Sequence, residues 1–152
     1  MYQRRMSWME LLSNEGVGCR LSGVGKAMSE SYRDLVAWQR AMSMVTQIYR
    51  TTETFPRREI YGLTNQLRRA AVSVPSNIAE GKGRRSKKEY AQFLFRARGS
   101  LLEVETQLEI ACNLDYIAPE AYAALKEQTT AVARVLNGLI AAIEHQIEAD
   151  GR

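Results

Sequence analysis

Val74-Pro75-Ser76-Asn77-Ile78-Ala79-Glu80-Gly81-Lys82-Gly83-Arg84-Arg85-Ser86-Lys87-Lys88-Glu89 is the stretch on which the fold turns. It closes one apolar-periodic segment, passes two glycines inside a basic run, and opens the next segment with a helix start signal. Ser86 followed at the third position by Glu89 makes a capping box, in which each side chain can satisfy an orphan backbone N–H. Gly81 and Gly83 suit the positive φ angles found just past a helix end. The stretch therefore reads as the tip of an antiparallel helix pair, and it carries the densest positive charge in the chain.

On its N-terminal side the pattern predicts a helix over 58–80, with Ile60 or Tyr61, Leu63, Leu67, Ala70, Ala71, Val74 and Ile78 on one face. Pro75 removes a backbone donor there, but the stripe resumes in phase at Ile78, so one bent helix is expected rather than two. On the C-terminal side Tyr90, Leu94, Ala97, Leu101, Val104, Leu108 and Ala111 predict a helix over 87–113. Gly99 in its middle lowers helix propensity by roughly 1 kcal/mol, which points to close approach of another helix. Leu114-Asp115-Tyr116-Ile117 breaks the pattern, and Pro119 suits the first position of a helix over 119–149. An earlier helix is expected over 33–52, with Leu35, Trp38, Met42, Val45 and Tyr49 as its stripe and Ala41 and Ile48 widening it. Period-two alternation is absent. The fold class is all-α: an up-down-up-down four-helix bundle over 32–150 behind a poorly ordered N-terminal extension over 1–31. That extension is Gly-rich, and an alternative reading starts translation at Met28.

At 152 residues the chain suits one domain. Its net charge of +4 is mild, but the distribution is polarised. From Arg57 to Arg98 eleven basic residues face three acidic ones, which is +8; from Gly99 onward nine acids face three bases, which is −6. A basic region of this kind attracts phosphate backbones or an acidic partner. Cys19 and Cys112 form neither a disulfide framework nor a CxxC site, and Cys112 sits where a small buried hydrophobe is expected. The expected compartment is the reducing cytoplasm. No apolar run reaches the roughly 20 residues that span a bilayer, and no membrane partner is expected.

Catalysis has little to stand on. His145, the one histidine, lies late in the last helix beside Glu144 and Glu148 and suits the negative dipole end. No metal-ligand spacing and no nucleophile–base arrangement occurs, so no enzyme activity, cofactor or metal is expected. The sharpest functional candidate is the basic run Lys82, Arg84, Arg85, Lys87 and Lys88, extended along the next helix by Arg96 and Arg98, with Arg57 and Arg58 as a second basic point at the far end. Phosphate contacts from such residues are sequence-independent and sensitive to salt. Among polar groups near the core, folding the hairpin about residues 83–84 places Ser100 and Glu103 near Arg68 and Arg69. An Arg–carboxylate pair fixing helix register is the structural expectation, and a ligand or partner site is the functional one.

Three segments taken together carry a resemblance. They are Tyr32-Arg33-Asp34-Leu35 with Trp38-Gln39-Arg40-Ala41, then Leu67-Arg68-Arg69-Ala70-Ala71 with Ser73 to Gly81, then Gly99-Ser100-Leu101 with Glu103, Glu105 and Thr106-Gln107-Leu108. The chain resembles the four-helix-bundle family of 23S rRNA-intervening-sequence proteins over about 32–145. The resemblance implies a bundle that assembles as a homopentamer around a central channel. It also implies kinship to the accessory protein of diversity-generating retroelements, which uses a basic surface to bind a reverse transcriptase and nucleic acid. Its motif positions here are Arg69, Asn77, Glu80, Gly81, Arg84 or Arg85, Ser100, Glu103 and Glu105. The expected function is a non-enzymatic, oligomeric bundle that binds RNA or DNA through its basic helix 2–helix 3 surface. The alternative is a protein-interaction scaffold or accessory subunit for a nucleic-acid enzyme.

Overall fold

The computed structural model describes residues 31–151, and the expected extension over 1–31 lies almost wholly outside the described residues. Four long helices follow one another: α1 Val36–Thr52, α2 Leu63–Lys82, α3 Lys87–Asn113 and α4 Pro119–Asp150. Short 3-10 turns at Tyr32–Asp34 and Arg57–Glu59 precede α1 and α2. Each helix lies against its two neighbours in a ring, α1 beside α2 and α4, α3 beside α2 and α4, and the diagonal pairs stand farther apart. Short connections between successive long helices force antiparallel neighbours, which is the up-down-up-down bundle.

The ends are set by local chemistry. Ser86 Oγ accepts from the Glu89 amide at 3.1 Å and donates to the Glu89 carboxylate at 3.0 Å, so the cap is half of the expected box. The complete box sits earlier, where Ser31 and Asp34 each accept from the other's backbone. α3 ends in a Schellman motif: Tyr116 N–H reaches the Ala111 carbonyl at 2.9 Å and Asp115 N–H the Cys112 carbonyl at 3.0 Å. Asp115 takes the left-handed position with φ 57°. Pro119 then occupies the first turn of α4, where its missing N–H is harmless. α2 runs as a single helix through Pro75.

The core is a continuous cluster including Met44, Ile48, Leu67, Ile78, Leu94, Leu101, Leu108, Leu125 and Leu136, all almost fully buried. On α1 the buried stripe is Ala37, Ala41, Met44, Ile48 and Thr52: Ala41 and Ile48, expected to widen the stripe, lie at its centre, and the rest is one residue out of step with the expected set. Met42 and Tyr49 are 40% exposed, and Trp38 and Val45 pack only at the edge of the core. The small Ala37 and Ala41 face inward because they let α1 lie close to its neighbours. Ile60 and Tyr61, expected on the α2 stripe, precede the helix and are exposed, Tyr61 to 91%. No helix of the described residues is long and apolar enough to cross a membrane.

Candidate nucleic-acid interface

The α2–α3 turn is built around Gly81. Its φ is not positive, and neither is that of Gly83, at −79°. The glycine is needed for space instead. It lies buried inside α2, and a Cβ there would stand 2.7 Å from Phe93 Cβ and 2.8 Å from Tyr90 Cδ2. That close approach presses the first turns of α3 onto the last turn of α2. Tyr90 is 7% exposed and its hydroxyl finds no hydrogen-bond partner; burial pushes its phenol from 10.0 up to about 12.

Phe93 is half-buried at this junction and carries two guanidinium groups, Arg84 at 4.6 Å and Arg96 at 4.8 Å from the ring centroid. Arg84 also pairs with Glu80 one turn back. Arg98 stacks on Phe95 at 4.9 Å. Two residues apart on one helix means roughly 200° around its axis, so Arg96 leans toward α2 and Arg98 away from it. Lys87 Nζ donates to Asp150 Oδ2 at 2.8 Å, tying the start of α3 to the end of α4. The acidic end of α4, with Glu144 and Glu148, therefore lies beside the basic turn. Arg85 and Lys88 are exposed, Lys82 is half-buried, and among the described residues none of the three has an acidic partner.

The expected cations thus meet at one end of the bundle in unequal conditions. Lys82, Arg84, Arg85, Lys88 and Arg96 gather at the turn; Lys87 is bound to Asp150; Arg98 sits on another side of α3. Phe93 and Phe95 were missed by sequence reasoning, although each precedes its arginine by three residues, a spacing that brings side chains together on a helix.

The expected Arg–carboxylate register pair does not form. Arg68 turns to α1, where Nε donates to Thr52 Oγ1 at 2.7 Å. Glu103 is exposed, Glu105 is half-buried, and Arg69 is exposed on α2. The register contact between α2 and α3 is made by hydroxyls: Ser100 Oγ donates to Ser73 Oγ at 2.9 Å. Asn77 Nδ2 donates to the same Ser73 oxygen at 2.9 Å and to the Ser73 carbonyl at 2.8 Å. At the far end Arg58 donates to the Tyr116 hydroxyl at 3.2 Å, which donates in turn to Glu59 at 3.1 Å. Cys112 is a half-buried free thiol, and His145 is exposed. Among the described residues no group of three His, Cys, Asp or Glu side chains could hold a metal ion.

A crystal structure of a protein of unknown function from the S23 ribosomal protein family of Bacteroides thetaiotaomicron shares this fold. It matches with a TM-score of 0.63 and 21% identity over 69% of this chain and 98% of that one. No curated protein matches the chain. The family model for 23S rRNA-intervening sequence proteins matches residues 33–138, most of the bundle. With its four helices in that order and the Ser-Asn-Ile-Ala-Glu-Gly segment closing α2, the chain belongs to the 23S rRNA-intervening sequence protein family.

Proposed function

We propose that this chain is a non-catalytic, self-associating helical bundle that binds RNA through the α2–α3 end. The observation that carries the reading is the Phe93 platform with Arg84 and Arg96 stacked on it and Arg85 and Lys88 exposed alongside. Stacking holds the Arg96 guanidinium with its N–H groups free to meet a phosphate in a planar fork, while Arg84 shares its fork with Glu80. The family's name refers to intervening sequences in rRNA and not to a binding activity; it makes RNA the first polyanion to test. Self-association, with the homopentamer as its expected form, is supported by the outward face of α3. There Phe95, Leu102 and Ile110 stand 37–57% exposed at helical spacing, a stripe that water alone does not favour.

The test is binding of a structured RNA, followed by fluorescence anisotropy across a salt series. Arg85→Glu/Lys88→Glu and Arg96→Glu should weaken binding and reduce the slope of log K against log salt by about 1 for each phosphate no longer neutralised. An unchanged slope in both variants removes the turn from the interface. Light scattering on the same samples reads the assembly.

A further inference from the structure

A cavity of about 810 Å³ opens between the end of α1, the turn at Arg57–Glu59 and the first half of α2. Arg57, Arg68 and Arg69 line it on the polar side, and Tyr49, Ile60 and Val72 on the apolar side. Arg68 is held in place: besides the bond to Thr52, its Nη2 donates to the Tyr49 carbonyl at 3.4 Å and its plane lies 4.7 Å from the Tyr49 ring centroid. Nη1 is left over for a ligand. Arg57 and Arg69 have no acidic partner among the described residues, and the acidic side chain on the wall is Glu53, so three cations face one carboxylate. A second observation comes from Thr64. It also lines the cavity, is 7% exposed, and its buried hydroxyl has no hydrogen-bond partner. A helical threonine ordinarily donates to a carbonyl on the preceding turn. This one keeps an unused donor.

The size lies in the range of small-molecule sites, roughly 300–1,000 Å³, and is more than an inorganic anion fills. The arginine forks match a phosphate, and the exposed Tyr49 and Ile60 offer a flat apolar wall to a planar ring. An extended peptide finds no strand edge here, because the walls are helices whose backbone groups are already bonded. We propose that this cavity binds a nucleotide, its phosphate on Arg57, Arg68 and Arg69 and its base against Tyr49 and Ile60. The nucleotide is either free or the 5′-phosphorylated end of an RNA strand. Arg69 lies roughly 21 Å along α2 from the basic turn, so this site does not rest on the reading of that turn.

The test titrates the full chain with AMP, adenosine and inorganic phosphate by calorimetry. A short oligoribonucleotide with and without a 5′-phosphate is then titrated by anisotropy. AMP should bind saturably, about tenfold tighter than adenosine or phosphate alone, because only AMP engages both walls. Arg57→Ala/Arg69→Ala should weaken AMP by about tenfold or more with the helical circular dichroism and melting intact, while Arg85→Glu/Lys88→Glu leaves AMP binding unchanged. A preference for the 5′-phosphorylated strand, lost in the first variant, assigns the site to strand ends; AMP binding without that preference assigns it to free nucleotide. Absence of both AMP binding and 5′-phosphate preference overturns the proposal, as does AMP affinity unchanged in Arg57→Ala/Arg69→Ala. A smaller particle mass for that variant with no AMP binding also overturns it, and gives the groove to a second copy of the chain.

Discussion

Replacing Gly81 with alanine tests the packing of the α2–α3 hairpin directly. Near the end of a helix the substitution gains up to about 1 kcal/mol of helix propensity. Against this, the new Cβ would stand 2.7 Å from Phe93 Cβ and 2.8 Å from Tyr90 Cδ2. Phe93 Cβ is fixed to the α3 backbone, so rotation of a side chain cannot relieve the contact. The helices must separate by several tenths of an ångström to reach ordinary carbon–carbon distance. Overpacking of this kind costs about 1–3 kcal/mol. The net expectation is a loss of about 0–3 kcal/mol, or a Tm lower by up to about 12 °C for a chain of this size. Gly99→Ala supplies the control. Contrary to the close helix approach expected there from sequence, nothing lies within 4 Å of a Cβ at Gly99, so in the single chain the same substitution should stabilise, by about 1 kcal/mol. Both variants are melted at one protein concentration, since assembly would otherwise move Tm. A Gly81→Ala protein that melts clearly above the parent would refute the reasoning.

Three further outcomes follow from buried polar groups. Tyr90 titrates near 10.0 when unfolded and about 12 when folded, so the unfolded chain loses its proton first and stability falls as pH rises from about 10 toward 12. Tyr90→Phe should flatten that fall, seen as a smaller difference in urea midpoint between pH 9 and pH 11 than the parent shows. Ser73→Ala should cost more than Ser100→Ala, about 2 against about 1 kcal/mol, because both Ser100 and Asn77 lose a partner at Ser73; a double-mutant cycle should return a non-zero coupling. Thr64→Val should raise stability by about 1 kcal/mol in chemical denaturation, since it removes a buried hydroxyl that bonds to nothing.

Much of the bundle was legible because its punctuation is local. Ser86 fixes where α3 starts, and Pro119 where α4 starts, and both stand as expected. The α1 stripe was misplaced by one residue for a definite reason. Trp38, Met42, Val45 and Tyr49 are apolar, and so are Ala37, Ala41, Met44 and Ile48; periodicity registers both and cannot rank them. The larger set attracted the reading, while close packing selected the smaller. Gly81 was misread for a similar cause. A glycine at a helix end serves either a left-handed angle or a near neighbour, and the neighbour, Phe93, is twelve residues away in sequence. The cationic turn was visible as charge, but which cations stay free depends on α4, whose last residue reaches back to Lys87. Arg57 at the far basic point and Arg68 and Arg69 near the core were legible as separate features, but the cavity they share had no sequence signal, since they join Tyr49 only after α1 and α2 pack.

The two apolar stripes of α1 also give the folded chain a rival to itself. A turn of the helix by roughly 100° about its long axis would swap one oily side for the other. Greasiness alone cannot veto that swap. The indole of Trp38 would then need room that Ala37 leaves in the present arrangement, and Arg68 would lose the hydroxyl of Thr52 that it now grips. Uniqueness in this rod rests on bulk at one position and a single hydroxyl at another, more than on the total of oil it hides.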